Sequence, residues 1–263
     1  VFKGVATALI TPFTDEGIDY ASFCRLIEEQ LTNRIDALVV CGTTGEASTM
    51  SDEERKSVVE FVIKQVHGRV PVIAGCGSNN TSHACELAAH AGAVGADALL
   101  AVTPYYNKCT QDGIYEHYKA IAESSDKPLI VYNVPSRTGV NIEPATYLRL
   151  SSLPLFGGIK EAGGSVSAAA KTLSLCPPPP SVASIYIPPL LTFKPSVVSL
   201  SSTDVCLNSI FKVPPYIIIP RSLIFSASWS GSIAFKELFQ SCVSHISTLS
   251  PLPIIVTSLV IFA

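Results

Sequence analysis

Short apolar runs alternate with amphipathic stretches through the first 165 residues of the chain. The runs fall at 5–10, 37–41, 70–75, 98–103, 129–134 and 155–160, most of them flanked by Gly, Pro or Asp. Near-continuous apolar segments of this length read as strands buried on both faces. Between them, Phe23, Leu26, Ile27 and Leu31 follow helical spacing, and so do Val58, Val59, Val62 and Ile63. Ser51 followed three positions later by Glu54 is a capping-box signature and predicts a helix starting there. Six β–α units fit into 165 residues, with room for two more. Repeated units of this kind predict an α/β fold, a parallel sheet covered by helices closing as an eight-fold (β/α)8 TIM barrel. No Gly-x-Gly-x-x-Gly follows the first run, which weakens a dinucleotide-binding sheet as the alternative.

The pattern breaks after residue 165. Of 16 glycines, only Gly231 lies beyond it, along with 7 of the 39 charged residues and 12 of the 19 prolines. The domain reading is therefore a barrel over residues 1–210, weakly patterned from 176 onward, and a C-terminal region over 211–263. Apolar runs there, such as 216–219 and 254–256, are too short to span a bilayer as helices. Net charge is −3 with a pI near 6.0, so neither nucleic acid nor an anionic membrane is an expected partner. Eight cysteines are scattered without a C-x-x-C pair, as small buried hydrophobes in a reducing compartment would be, so no metal site is expected. No signal-peptide pattern is visible at the N-terminus, and a cytoplasmic location is expected.

Barrels of this class place their chemistry at the C-terminal ends of the strands. Thr43 and Thr44 follow the second run, Tyr105 and Tyr106 the fourth, Tyr132 and Arg137 the fifth, and Lys160 ends the sixth. Lysine is seldom buried, because desolvating an ammonium is expensive. One forced inward prefers its neutral amine, a nucleophile toward carbonyls that forms a Schiff base. A strand-end lysine reaching into solvent fits the run 155–160 equally well. Tyrosines beside Pro104 suit packing as readily as chemistry, and Thr43 and Thr44 suit a plain turn. Several such groups on one rim, with a lysine among them, are hard to explain as packing.

Four ordered motifs carry a resemblance: Gly-Thr-Thr-Gly-Glu at 42–46, Thr-Pro-Tyr-Tyr-Asn-Lys at 103–108, Tyr-Asn-Val-Pro-Ser-Arg-Thr-Gly at 132–139, and Gly-Ile-Lys-Glu-Ala at 158–162. From residue 2 to about 175 the chain resembles the dihydrodipicolinate synthase family of the pyruvate-dependent class I aldolase superfamily. The resemblance implies a Schiff-base lyase that condenses pyruvate with L-aspartate 4-semialdehyde to 4-hydroxy-tetrahydrodipicolinate, in diaminopimelate and lysine biosynthesis. It implies that Lys160 forms the imine and that Tyr132 is the general acid and base beside it. Thr43 and Tyr106 would complete a hydroxyl relay, Tyr106 reaching in from a neighbouring subunit of a homodimer or homotetramer. Thr44 would hold the pyruvate carboxylate and Arg137 the carboxylate of the aldehyde. No cofactor or metal is implied, since the imine is itself the electron sink.

The alternatives are another pyruvate-dependent aldolase of the same fold, such as an N-acetylneuraminate or keto-sugar-acid lyase, and a non-catalytic barrel. Arg137 favours the synthase over the other aldolases. Glu46 and Glu161 read as structural, and His83 and His117 as surface residues. Beyond Lys171 the family pattern fades: a glycine-rich eighth strand and a C-terminal helical extension are expected, yet 182–209 holds no glycine. Ser184 to Tyr186 and Asp204 to Asn208 look like fragments of familiar elements. Lysine-sensitive relatives bind the effector at a dimer interface. This chain keeps Ala47, Ser48, Asn79 and Tyr105 there but carries Asp52 and Arg55 in place of two histidines and His83 in place of a glutamate, so feedback inhibition by lysine is expected to be weak or absent.

Overall fold

The computed structural model describes residue 2, residues 4–176, and the backbone of two further strands at 183–186 and 259–262. The sheet begins with β1 (Gly4–Ala8); a two-stranded hairpin of β2 (Phe13–Thr14) and β3 (Gly17–Ile18) follows, then α1 (Tyr20–Thr32). After β4 (Ala37–Val40) come a 3₁₀ turn at Ala47–Thr49, α2 (Asp52–Val66), β5 (Val72–Gly75), α3 (Thr81–Ala93), β6 (Ala98–Val102) and α4 (Gln111–Glu123). Next are β7 (Leu129–Asn133), the single turn α5 (Pro135–Thr138), α6 (Pro144–Leu150), β8 (Phe156–Glu161) and α7 (Val166–Leu175). The last two strands are β9 (Ala183–Tyr186) and β10 (Leu259–Phe262).

The strands close in the order β1-β10-β9-β8-β7-β6-β5-β4. Pairing is parallel from β1 through β4 to β9, as the alternation of runs and helices predicts. Closure differs from expectation: β10 runs antiparallel to both β1 and β9. The closing strand thus comes from 259–262, not from a parallel strand between 176 and 210, and these four residues of the expected helical region are extended. An apolar Leu-Val-Ile-Phe run, unlike a helical pattern, is compatible with a strand. The expected elements between 187 and 258 lie outside the described residues.

Helix ends follow local chemistry. Ser51 Oγ accepts from Glu54 N, and the Glu54 carboxylate accepts from Ser51 N, completing the capping box that starts α2. Asp19, Asn80, Thr110 and Ser165 cap α1, α3, α4 and α7, each with a side-chain oxygen accepting a backbone N–H of the first turn.

The pleat sorts the core into two layers. Ala6, Ala8, Ala37, Val39, Ile73, Ala98, Leu100, Ile130, Tyr132 and Val134 cluster inside the barrel. Their neighbours one position away (Leu38, Val40, Val72, Leu99, Val131) face the helices and join Phe23, Ile27, Val58, Val62, Ile114 and Ile121. Alternation therefore decides which strand-end side chains enter the barrel. One irregularity matters later: the β7–β8 register shifts between Leu129 and Ile130, after which Tyr132 lies opposite Lys160 and Asn133 opposite Glu161.

Candidate active site

Lys160 is the last residue but one of β8, on the inward side, and is 4 % exposed. Burial, helped by the positive charge of Arg137, lowers its pKa from 10.5 to about 8. At neutral pH about one molecule in ten then carries a free amine, against roughly one in three thousand for an unperturbed lysine. Its Nζ stands 4.3 Å from the centroid of the Tyr132 ring. Tyr132 is also buried, and burial raises its phenol, while Arg137 and a side-chain hydrogen bond with Thr43 act in the opposite direction. The amine over the Tyr132 ring and the Thr43 side chain bonded to that tyrosine thus link β8 through β7 to the turn after β4.

That turn is set by glycine. A Cβ at Gly45 would press on Leu9 O at 3.1 Å, and Thr11 Oγ1 donates to Gly45 O at 2.8 Å, tying the turn to the end of β1. Thr43 is exposed at its crest and Thr44 half-buried beside it. Arg137 sits on α5 with its side chain exposed. Gly139, at φ 72°, ends that turn of helix, a conformation that a residue with a Cβ adopts only under strain.

The structure brings Lys160, Tyr132 and Thr43 together and places Arg137 within electrostatic reach of the first two. It does not bring Tyr106 to them. Tyr106 is 86 % exposed, in the left-handed region at φ 74°, held by its backbone N–H donating to Thr138 O at 3.3 Å. An exposed tyrosine with positive φ is uncommon enough to suggest a constraint beyond local packing.

Two histidines differ in placement. His83 is half-buried, with Nε2 2.8 Å from Asp52 Oδ1 and Nδ1 3.2 Å from Ser78 Oγ. His117 corrects the expectation of a surface residue: it is 3 % exposed, Nδ1 meets Thr81 Oγ1 at 2.8 Å, and burial lowers its pKa from 6.5 to about 4. Ile114, His117, Tyr118 and Ile121 share the buried face of α4, a spacing present in the sequence. Asn133, part of the 132–139 motif, has no role in the sequence reading. Asparagine is depleted in strands, so one ending the fifth apolar run was a signal.

Among the described residues no group of three or more His, Cys, Asp or Glu side chains is placed to hold a metal, and no helix is long and apolar enough to cross a membrane.

A buried amine paired with a phenol at the C-terminal ends of adjacent barrel strands defines the class: α/β barrels equipped for Schiff-base chemistry. More particularly, residues 1–184 match the Dihydrodipicolinate synthetase family, and the chain belongs to that family. It is 52 % identical over 178 residues to a 4-hydroxy-tetrahydrodipicolinate synthase of Acetivibrio thermocellus, covering 68 % of this chain and 60 % of the relative. A namesake from Caldicellulosiruptor saccharolyticus is 54 % identical over 67 % of this chain and 60 % of its own length. Among solved structures, a chloride-inhibited dihydrodipicolinate synthase from Acinetobacter baumannii complexed with pyruvate superposes with a TM-score of 0.65 at 46 % identity, over 66 % of this chain and 61 % of that one. The match therefore spans about 60 % of the length of these curated relatives.

Proposed function

We propose that the chain condenses pyruvate with L-aspartate 4-semialdehyde through an imine on Lys160. The observation that carries the reading is the buried, partly neutral Lys160 amine over the Tyr132 ring at facing strand positions. Nζ adds to the ketone carbon of pyruvate, and the carbonyl oxygen leaves as water after proton transfers through Tyr132 and Thr43. Loss of a methyl proton gives an enamine, whose carbon forms the new bond to the aldehyde carbon. Transfer of the imine to the second substrate's own amine closes the ring of 4-hydroxy-tetrahydrodipicolinate and frees Lys160.

Arg137 offers a planar guanidinium suited to bidentate contact with the second substrate's carboxylate, and its exposure leaves it open to an incoming ligand. Thr44, in the turn beside Thr43, suits the pyruvate carboxylate. Tyr106, exposed and in no described contact with Lys160, is assigned by the family resemblance to the relay of a neighbouring copy; the active unit is then a homo-oligomer. The names of the relatives support these substrates over those of sugar-acid lyases, and the bound pyruvate in the Acinetobacter structure supports pyruvate as the first of them. The free cysteines among the described residues support a reducing, cytoplasmic setting.

Incubation with pyruvate and borohydride, followed by peptide mass analysis, tests the reading. The adduct is expected on Lys160 and on no other lysine; labelling of Lys108 or Lys171 instead would overturn it.

A further inference from the structure

The pleat that turns Lys160 and Tyr132 into the barrel turns the next residue of each strand, Glu161 and Asn133, toward the helices. These two also face one another in the β7–β8 register. The Glu161 carboxylate collects donors from three directions. Asn133 Nδ2 reaches Oε1 and Oε2 at 3.0 and 3.1 Å, Tyr147 OH donates to Oε2 at 2.7 Å, and Gly163 N donates to Oε1 at 2.6 Å. Asn133 extends the network: its Nδ2 also donates to Asn141 Oδ1 at 2.9 Å, and its Oδ1 accepts from Ile142 N at 3.2 Å. Tyr147 on α6 is almost wholly buried, and the charge of Glu161, after burial itself, helps push its phenol well above its usual range.

We propose that Glu161 is a positioning residue for the Lys160–Tyr132 pair, acting with Asn133 and Tyr147 from the outer face of the same two strands. The inference rests on the imine reading of Lys160. The need for such a clamp comes from the register shift at Leu129 and Ile130. Slipping a strand by one residue reverses which face each side chain occupies, and here it would turn Lys160 out of the barrel. A side-chain bridge joining positions 133 and 161 fixes the phase of both strands where it matters, one residue beyond the reacting pair. Through Asn141 and Ile142 the same bridge anchors the segment that follows Arg137, so the grip on the amine and on the second substrate is mechanically shared. Fold stability alone does not call for a carboxylate here. A partly buried charge costs desolvation that a well-packed apolar pair would avoid.

The test measures the initial rate of borohydride trapping of pyruvate, kcat and KM, and thermal unfolding, for the intact chain, Glu161→Gln, Tyr147→Phe and the double variant. Glutamine keeps the shape but presents an amide to donors that a carboxylate satisfies. Trapping rate and kcat are expected to fall at least about tenfold in Glu161→Gln, with KM for pyruvate within about twofold, as misplacement of a reacting group predicts. Tyr147→Phe should lower them by a smaller factor, and the double variant should be no worse than Glu161→Gln, since the tyrosine acts through the carboxylate. Trapping within twofold of the intact chain in both single variants would overturn the inference and leave the imine assignment standing. So would losses that merely track the unfolded fraction. Absence of trapping in the intact chain would overturn both.

Discussion

At the N-terminal rim of the barrel, Asp36 accepts from Val5 N at 2.7 Å and Asp97 from Val72 N at 2.8 Å, each carboxylate stitching the start of a neighbouring strand. At the C-terminal rim, Glu161 also accepts a backbone N–H, that of Gly163, but it stands one residue from a buried amine. The lower carboxylates are exposed and serve pairing alone. The upper one is braced by a buried tyrosine and asparagine, and inside it lie a lysine and a phenol that burial has moved away from their ordinary pKa values. The same functional group, a carboxylate, therefore serves strand pairing at one rim and, in our proposal, placement of the reacting pair at the other, in keeping with the division of labour in α/β barrels.

The sharpest way to separate the rims is Lys160→Met. It should abolish trapping of pyruvate and, at the same time, stabilise the fold at neutral pH. The pKa of Lys160 is lowered by folding, so below about 8 the amine is charged in both folded and unfolded chains and the burial penalty is complete. As pH rises toward 10.5 the folded protein sheds its proton first and the penalty fades. The advantage of methionine, up to roughly 3 kcal/mol at pH 7, should therefore shrink in that window. Unfolding curves at pH 7 and 10 measure it; a destabilised variant would show that the ammonium is not penalised.

Arg137→Ala should raise KM for aspartate semialdehyde about 30- to 150-fold, the loss of roughly 2–3 kcal/mol for a bidentate charged contact. KM for pyruvate should change far less, and equal effects on both would remove the assignment. Mixing Tyr106→Phe with Lys160→Ala, each inactive alone, should recover a fraction of the activity if subunits exchange; no recovery despite exchange would remove Tyr106 from the shared relay. At the lower rim, Asp97→Ala should cost about 1 kcal/mol of stability with kcat unchanged, the ordinary worth of one hydrogen bond. Smallest of all is the response to lysine: His83 already engages Asp52 and Ser78, so half-inhibition at pH 8 should need more than about a millimolar, a binding energy near 4 kcal/mol.

Much of this was legible from the sequence because parallel strands are so apolar that any polar residue ending one stands out. Lys160 and the βα rhythm were visible in this way, whereas the roles expected of Tyr132 and Thr43 came from the resemblance. The bridge from Asn133 to Glu161 was not, because it depends on strand phase, and the shift at Leu129 and Ile130 cannot be seen in an apolar run. His117 was misjudged as a polar surface residue although Ile114, Tyr118 and Ile121 place it on the inner face of α4. The closing strand β10 was not anticipated, because its partners β1 and β9 are remote in sequence and strand pairing of that kind leaves no local pattern. Tyr106 could be chosen over Tyr105 only by resemblance, since its proposed site lies in another copy.

The imidazole of His117 gives the protein an acid limit. It is held neutral between α3 and α4 by burial, with the Thr81 hydroxyl meeting Nδ1 and no partner for Nε2 among the described residues. Above pH 6.5 it is neutral folded or unfolded and costs nothing. As the medium acidifies toward pH 4 the unfolded chain takes up a proton that the folded one refuses, drawing off on the order of 3 kcal/mol. The acid sensitivity therefore resides in a helix seam that precedes Lys160 in the chain, not in the Lys160–Tyr132 pair itself. Filling that position with a non-titrating side chain of similar size, as in His117→Gln, should shift the midpoint of acid unfolding downward while leaving the alkaline side untouched.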